Sequence, residues 1–307
     1  MGFQNFAELL EGVPAQRVRI AVAAAGDVEV ISAIAEAESR GWVEAILVGD
    51  RRRIAAAAQE VGYDLQKARI VDEPDERDAA RTAVDIVRNG DAEMLMKGLI
   101  ETSDFLRAIL ARERGLRTGR TISHLAALED PLHHRLYLLS DAAVNVQPDL
   151  LTKVEIVRNA VQAMHALGIS EPRVAALAAV ELVDPAMPAT VDAANLSKMS
   201  ERGQLPHCII DGPLALDNAI SAEAAEHKGI RSAVAGRPDL LLVPDIEAGN
   251  ILYKAFTYFQ GARTAGILLG ARCPIVLTSR ADPPEAKLLS IGLGMRVAAG
   301  MVAKIHQ

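Results

Sequence analysis

The sequence predicts an α/β protein in which mostly parallel sheets are flanked by helices. Apolar strand-like runs alternate with helical patterns along almost the whole chain. These runs are continuously apolar rather than alternating, which is typical of parallel strands that are buried on both faces. The chain has 307 residues, half of them hydrophobic, and this length suits one large or two medium domains with a full core.

The first half of the chain contains six strand-like runs. Helical patterns separate the first five, and the first of these helices has Asp27 as its predicted N-cap and Gly41 after its end. The fifth and sixth runs have no helical pattern between them, so the region near 121–143 is the best candidate for a domain boundary. The six runs are 17–25, 44–50, 67–73, 92–100, 121–129 and 135–143.

The second half begins with a predicted helix over 149–168 and ends with one from about Pro284 to Lys304. Five more strand-like runs lie between them, at 173–180, 207–214, 239–245, 264–271 and 274–279. We therefore expect one α/β domain over 1–135, to which the C-terminal helix 284–307 returns, and a second over 136–283.

Composition narrows the range of functions. Aromatic residues make up only 3% of the chain and the net charge is −7. An aromatic base-stacking platform or a basic nucleic-acid groove does not fit this composition. An anionic substrate would have to be held by a local cluster of positive charge, against an unfavourable overall field.

The cysteines and the apolar segments indicate a cellular location. Cys208 and Cys273 each lie in an apolar run, so we expect buried, reduced thiols. The N-terminal residues lack the basic and apolar regions of a signal peptide, and no uncharged apolar segment reaches the ~20 residues that span a bilayer. A soluble cytoplasmic protein is expected, with no membrane partner.

Ligands of open parallel sheets bind beyond the carboxyl ends of the strands, near helix N-termini. Lys97 follows the apolar run EMLM, where its ammonium group would meet an anion or extend to solvent. Ser279 and Arg280 follow the last strand-like run. Arg107 lies one turn into a helix, where it can bind phosphate through two guanidinium N–H groups. Pairing with Asp104, three residues earlier, is the favoured interpretation of Arg107.

Two segments of the second half offer further candidates. Asp211 and Gly212 open the string DGPLALD, in which Gly-Pro forces a turn and Asp211 can orient a basic ligand-binding group. Gly249 and Asn250 lie at a helix start, where small residues permit a ligand to approach the backbone. Lys254 points outward two turns into that helix, although a plain polar helix start is the favoured interpretation there.

Several common sites are not predicted. The glycines do not have the spacing GxGxxG of a dinucleotide-binding turn, or GxxxxGK of a nucleotide-binding loop. The seven histidines are scattered and show no metal-ligand spacing with cysteines or carboxylates.

Four strings in this order resemble the phosphate acetyl/butyryltransferase family. They are MKG (96–98), DGPLALD (211–217), AGNILYK (248–254) and TSRAD (278–282), and the similarity extends from AVAAAGD (21–27) almost to the end of the chain. The resemblance implies a reversible reaction in which acyl-CoA and phosphate give acyl phosphate and CoA. It implies coenzyme A as a substrate and no metal or redox cofactor.

The resemblance also implies architecture. The expected fold has two α/β domains of the isocitrate/isopropylmalate dehydrogenase type, with the active site in the interdomain cleft. A homodimer or larger homo-oligomer is expected, and no nucleic-acid partner.

The family's motifs assign roles to particular residues. Its serine-arginine pair maps onto Ser279 and Arg280, and the arginine of its D-x-L-R string maps onto Arg107. We therefore expect phosphate to be bound by these three residues together with Lys97. Coenzyme A is expected near Asp211, Gly212, Gly249, Asn250 and Lys254.

Two family positions have no unique match. Acetyl-type members have a catalytic aspartate a few residues after the serine-arginine pair, where this chain reads ADPPEAK. Asp282 and Glu285 are the nearby carboxylates, and we take Asp282 as catalytic together with Ser279 and Arg280. A second family arginine precedes the MKG strand, and Arg77 and Arg81 are candidates for it.

The start of the last helix is itself a poor phosphate receptor. Pro283 and Pro284 carry no N–H, and Asp282 and Glu285 already occupy its positive end. Phosphate and the developing oxyanion are therefore assigned to the Arg280 guanidinium and the Ser279 hydroxyl, with the prolines as stiffeners.

Two other functions stay open. The chain can be a non-catalytic regulator that binds acyl-CoA or acyl phosphate on the same fold. It can also be a decarboxylating dehydrogenase-like enzyme, although the metal-binding aspartates and cofactor loop of such an enzyme have no readable spacing here.

Overall fold

The computed structural model of the protein describes residues 2–11, 17–279 and 282–305. The described strands are β1 Val18–Ala23, β2 Val43–Gly49, β3 Arg69–Asp72, β4 Met94–Lys97, β5 Ser123–Asp130, β6 Arg135–Ser140, β7 Arg173–Leu177, β8 Ile209–Leu214, β9 Leu240–Leu242, β10 Thr264–Leu269 and β11 Ile275–Val276. Each predicted strand-like run overlaps one of them, and the predicted α/β class is confirmed.

Helices follow most of the strands. They are α1 Phe6–Leu10, α2 Val28–Ser39, α3 Arg51–Val61, α4 Glu76–Arg88, α5 Thr102–Ile109, α6 Leu150–Ala166, α7 Pro188–Glu201, α8 Leu216–Ile220, α9 Ala222–His227, α10 Ile246–Phe259 and α11 Pro284–Ile305. Aspartates begin many of them, since a carboxylate satisfies N–H groups that have no partner within the helix. The predicted cap at Asp27 is confirmed: its Oδ1 accepts the Val30 N–H at 2.9 Å. None of the described helices combines the length and apolarity needed to cross a bilayer.

The chain divides into two compact units. Unit 1 contains the residues up to Leu9 and Thr121–Thr264, and unit 2 contains Leu10–Arg120 and the residues from Ala265 onwards. This division differs from the predicted one at 135/136 and 283/284. The reason is strand pairing, since β5 and β6 form one antiparallel hairpin and β11 pairs with both β4 and β10.

Unit 2 has the strand order β3-β2-β1-β4-β11-β10. Its strands are parallel except for the antiparallel pair β10–β11. Ala23 is in register with Lys97, and Val276 with Met96, so β1, β4 and β11 end at the same edge. Helix α11 packs against α2 in this unit.

Unit 1 has the strand order β5-β6-β9-β7-β8. β5 and β6 are antiparallel, and the other neighbours are parallel. Its aliphatic core is completed by an edge-on contact between the Tyr137 and Phe256 rings, whose centroids lie 6.5 Å apart. The described part of the chain therefore has one mixed sheet of 11 strands rather than separate sheets, and most of its strand pairs are parallel.

Both cysteines are free thiols. Burial raises the pKa of Cys273 to about 12 and that of Cys208 to about 11. The thiols are thus held in the neutral form, which is neither a nucleophile nor a metal ligand.

Gly98 fixes how closely β4 approaches β1. Its N–H donates to the Ala23 carbonyl at 2.8 Å, and the next N–H, of Leu99, donates to the Ala24 carbonyl at 2.8 Å. A Cβ on Gly98 would lie 2.4 Å from the Ala24 oxygen and 2.5 Å from the Ala23 oxygen. Those atoms are backbone, so they have no rotamer by which to move away.

We expect Gly98→Ala to lower the midpoint of thermal unfolding, because overpacking of this kind costs about 1–3 kcal/mol. Gly294→Ala is the matched control. There the added Cβ would meet Met94 Cε, the end of a flexible side chain, and helix propensity improves by about 1 kcal/mol. Scanning calorimetry of both variants checks the prediction, and equal midpoints for the two would contradict it.

Candidate active site

Ser279 begins a tight turn between β11 and α11. Its N–H donates to Asp282 Oδ2 at 2.7 Å, and the Asp282 N–H donates back to the Ser279 carbonyl at 3.2 Å. Ser279 is exposed, whereas Asp282 is half-buried. Arg280, which stands between them in the sequence, lies outside the described residues. The predicted catalytic serine and carboxylate are therefore joined by hydrogen bonds at the two ends of one turn.

Lys97 is the last residue of β4, the neighbour of the strand β11 that leads to Ser279. β4 pairs in parallel with β1 on one side and with β11 on the other, so Lys97 and Ser279 lie at the same edge of the sheet. Only 4% of the surface of Lys97 is exposed, and its Nζ donates to the Gly98 carbonyl at 3.3 Å. The structure thus brings together two phosphate-binding candidates that are 182 residues apart in sequence, at 97 and 279.

Arg107 lines a cavity of about 350 Å³ on unit 2. The cavity is built where α4 packs against α5, and apolar residues of both helices complete it. Its charged lining consists of four arginines and two aspartates: Arg77, Arg81, Arg107, Arg114, Asp85 and Asp104. Guanidinium groups outnumber carboxylates, so this part of an acidic protein has a positive lining suited to a phosphate-bearing ligand.

Asp104 organises one end of this cavity. Its carboxylate pairs with Arg107, as the sequence favoured, and also accepts from Arg77 Nε at 2.9 Å. The Arg77 hydrogen bond is the main cause that lowers the pKa of Asp104, and Arg107 adds to it. In turn, the bond to Asp104 raises the pKa of Arg77. One carboxylate thereby holds two guanidinium groups side by side.

The other arginines have their own acidic partners. Arg81 pairs with Asp78, three residues earlier on α4, at 2.5 Å. Arg114 pairs with Asp85, which also lies 3.0 Å from Arg88. Of the two candidates for the second family arginine, only Arg77 shares a carboxylate with Arg107.

The expected coenzyme A residues belong to unit 1. Asp211 and Gly212 lie within β8 rather than at its end, and Asp211 Oδ1 accepts the Gly212 N–H at 2.8 Å. A Cβ on Gly212 would lie 2.6 Å from the Ala176 carbonyl oxygen. This glycine therefore allows β8 to approach β7 closely.

Gly249, Asn250 and Lys254 lie on α10. A Cβ on Gly249 would come within 2.8 Å of the Asp141 carbonyl oxygen, and Asn250 Nδ2 donates to the Ala142 carbonyl at 3.4 Å. The small residue and the amide therefore dock α10 onto the segment after β6. Lys254 Nζ lies 5.8 Å from the centroid of the Tyr258 ring, within the range of a cation–π contact. Their coenzyme A role stays a prediction.

A family model described as "Phosphate acetyl/butaryl transferase" matches residues 73–291. The chain belongs to this family. The matched range includes Lys97, Arg107, Ser279 and Asp282, so the resemblance first seen in the motifs is confirmed.

Relatives with curated names have similar lengths. The phosphate butyryltransferase of Clostridium acetobutylicum is 48% identical over 296 residues, which cover 96% of this chain and 98% of that protein. The phosphate acetyltransferase of Thermotoga maritima is 42% identical, covering 93% of this chain and 97% of that protein. Both acetyl and butyryl names therefore occur among similar proteins.

Solved structures agree on the fold. A branched-chain phosphotransacylase from Enterococcus faecalis superimposes with a TM-score of 0.81 at 32% identity, covering 92% of this chain and 99% of that one. A 4-hydroxythreonine-4-phosphate dehydrogenase from Klebsiella pneumoniae superimposes with a TM-score of 0.59 at 13% identity, covering 92% and 100%. At that identity the second likeness shows the fold alone, and it connects the phosphate acetyl/butyryltransferase fold with a dehydrogenase fold.

Two features of the site were not found from sequence. Arg114 joins the cavity from the loop after α5, and the basic string ARERG (111–115) was the available signal. Lys287 contacts the Asp282 carbonyl oxygen from the first turn of α11, and no motif pointed to it. The place of Arg114 depends on how α4 and α5 pack, which periodicity does not report.

We expect Arg77→Ala to raise the pKa of Asp104 towards its ordinary value, because the Arg77 hydrogen bond is the main cause of the lowered pKa. The lowered pKa also means that Asp104 stabilises the folded protein at neutral pH. This stabilisation is complete above the ordinary carboxyl pKa, and it is lost as the pH falls through the lowered pKa of the folded state. A pH titration of the aspartate carboxyl ¹³C signals measures the shift.

Arg81→Ala is the matched control for this titration, since Arg81 lines the same cavity but pairs with Asp78. Its effect on Asp104 should be small. A larger rise of the Asp104 pKa in Arg81→Ala than in Arg77→Ala would contradict the assignment of partners.

Proposed function

We propose that this protein catalyses the reversible transfer of a short-chain acyl group between coenzyme A and inorganic phosphate. The observation that carries the proposal is membership of the phosphate acetyl/butyryltransferase family over residues 73–291. That range contains the turn from Ser279 to Asp282 and the arginine-lined cavity. The relatives named for butyryl and acetyl transfer support an acyl group of this size.

The proposed chemistry begins with the thiol of coenzyme A. A thiol of this kind has a pKa of roughly 8.5, so it needs a base or a positive field to react as a thiolate at neutral pH. We assign the proton to the carboxylate of Asp282, whose Oδ2 is oriented by the Ser279 N–H. The thiolate then attacks the carbonyl carbon of the acyl phosphate.

The same attack creates a negatively charged oxygen and releases phosphate. The Ser279 hydroxyl is exposed at the turn, and we assign it to stabilise the oxyanion. Arg280, Arg107 and Lys97 are assigned to the phosphate, whose charge grows as the bond to the acyl carbon breaks. Contacts that strengthen with this charge lower the barrier more than they tighten substrate binding.

The cavity supports anion binding at Arg107. Its four arginines offer two-pronged hydrogen bonding, the geometry that suits phosphate oxygens. Asp104 holds Arg77 and Arg107 in place before a ligand arrives, so less side-chain freedom is lost on binding. Arg77 is our choice for the second family arginine.

Further expectations belong to the same proposal. Coenzyme A acts as a substrate near Asp211, Gly212, Gly249, Asn250 and Lys254, and no metal or redox cofactor takes part. The two-domain arrangement of the isocitrate/isopropylmalate dehydrogenase type, with substrates bound between domains, stays a prediction. So does the cytoplasmic location, which the two free, neutral thiols support.

Two alternatives give different outcomes in one assay. We expect thiol release from acetyl-, propionyl- and butyryl-CoA that depends on phosphate or arsenate. The relative rates of release rank the three acyl chains. A non-catalytic regulator would bind coenzyme A without releasing thiol over hours. A decarboxylating dehydrogenase would change nicotinamide absorbance with a hydroxy acid, a result that would overturn the proposal.

We expect Arg107→Ala to lower kcat/KM for phosphate roughly 100-fold, since a charge-assisted contact is worth ~3 kcal/mol. Arg280→Ala should lose activity by at least as much. Arg112→Ala is the control, because Arg112 is exposed in the same segment and does not line the cavity. Initial rates of phosphate-dependent thiol release measure all three, and full activity in Arg280→Ala would remove that residue from the mechanism.

Assembly as a homodimer is a further part of the proposal. Ile251, Tyr258 and Phe259 of α10 are 69%, 70% and 91% exposed. Ile251 and Tyr258 are seven residues apart and lie on one face of the helix. A two-fold axis between them would place Ile251 of each copy against Tyr258 of the other, the self-complementary contact that a symmetric dimer requires.

Ile251→Glu should therefore shift the protein from dimer to monomer, because it buries a charge without a partner in that contact. Leu151→Glu is the control, since Leu151 is equally exposed at 71% but lies on α6. Sedimentation equilibrium of the native protein and both variants gives the masses. A dimer that persists in Ile251→Glu would exclude this face as the interface.

A further inference from the structure

Lys287 is a buried cation at a position that disfavours one. It lies in the first turn of α11, next to the positive end of the helix dipole, where acidic side chains are preferred. Its side chain is only 4% exposed, so the ammonium group has also lost most of its water. A residue that opposes two local preferences needs compensating contacts, and the described part of the chain supplies two.

Both contacts of the Lys287 ammonium connect α11 to other parts of unit 2. Its Nζ donates to the main-chain carbonyl of Asp282 and pairs with the Glu29 carboxylate in the first turn of α2. The segment before α2 comes directly from the end of β1. The Lys287 ammonium group of α11 therefore contacts both the end of the turn, at Asp282, and the start of α2, at Glu29, which follows the end of β1.

The Asp282 carbonyl is an informative place for such a contact. Asp282 closes the turn through two hydrogen bonds with Ser279, one from each backbone N–H. Pro283 and Pro284 follow at once, and neither has an N–H to bind a neighbouring carbonyl. Lys287 thus holds from its side chain the last carbonyl before the proline pair, at the point where the turn passes into α11.

We infer that Lys287 is a positioning residue for the turn from Ser279 to Asp282, with Glu29 neutralising its buried charge. This inference rests on the proposed function for its catalytic consequence, because it acts through Ser279 and Asp282. Lys287 itself touches no substrate. Its loss affects the transition state that these residues stabilise, and it leaves anion binding at the cavity around Arg107 intact.

The test compares Lys287→Met with Lys287→Arg. Met keeps the length of the side chain but removes the charge and the donors, so kcat for thiol release should fall by at least 10-fold, with KM for coenzyme A changed by less than 3-fold. Arg keeps a cation and several donors, and it should recover a large part of kcat. Equal loss in both variants would overturn the positioning role.

Lys153 provides a matched control. Its side chain is 7% exposed, and its Nζ lies 2.6 Å from Asp192 Oδ2 within unit 1. Lys153→Met breaks a similarly buried ion pair, so it should lower the thermal midpoint as Lys287→Met does, with kcat unchanged. A kcat loss in Lys153→Met as large as in Lys287→Met would mean that general destabilisation explains both.

Hydrogen–deuterium exchange separates this inference from the proposed function. The Ser279 and Asp282 N–H groups are both hydrogen-bonded in the turn, and a peptide over 277–289 reports them. Exchange there should accelerate in Lys287→Met but not in Lys153→Met, whether or not the protein releases thiol. Unchanged exchange would overturn the role of Lys287, whereas absence of thiol release by the native protein would overturn only the acyl transfer.

Discussion

The parallel pairing of β1, β4 and β11 is the constraint on which the candidate site of unit 2 depends. Parallel strands end at the same edge of a sheet, so residues that are distant in sequence meet there. Gly98 permits the close approach of β4 to β1, and its backbone hydrogen bonds set the register. Lys97 and Ser279 occupy neighbouring strand ends as a result.

Charge in this protein is arranged locally. The chain carries a net charge of −7, yet four arginines line one cavity with only two aspartates. Each guanidinium in that cavity has an acidic partner, and Asp104 holds two of them. These ion pairs orient the arginines and leave donors for a ligand, since a guanidinium has five N–H donors and one carboxylate partner uses at most two of them.

Ser279 and Asp282 are linked by hydrogen bonds outside regular secondary structure. The two ends of this turn are held by side chains: the Asp282 carboxylate accepts from the Ser279 N–H, and Lys287 donates to the Asp282 carbonyl. Glu29 makes the burial of Lys287 tolerable by placing a carboxylate beside it. Through Lys287, Asp282 is therefore linked to both α2 and α11, whose starts are 256 residues apart, at 28 and 284.

The sequence by itself determined the α/β class, the approximate position of every described strand, the cap at Asp27 and the family. These features are local, because apolar runs, caps and motifs are written in consecutive residues. The roles proposed for Ser279, Arg280 and Asp282 also come from motifs. Tertiary structure decided the division of the chain after Arg120 and before Ala265, since strand pairing sets it. It also decided that Arg77 rather than Arg81 shares Asp104 with Arg107, and that Lys287 of α11 pairs with Glu29 of α2, because such contacts arise only when separate helices pack together.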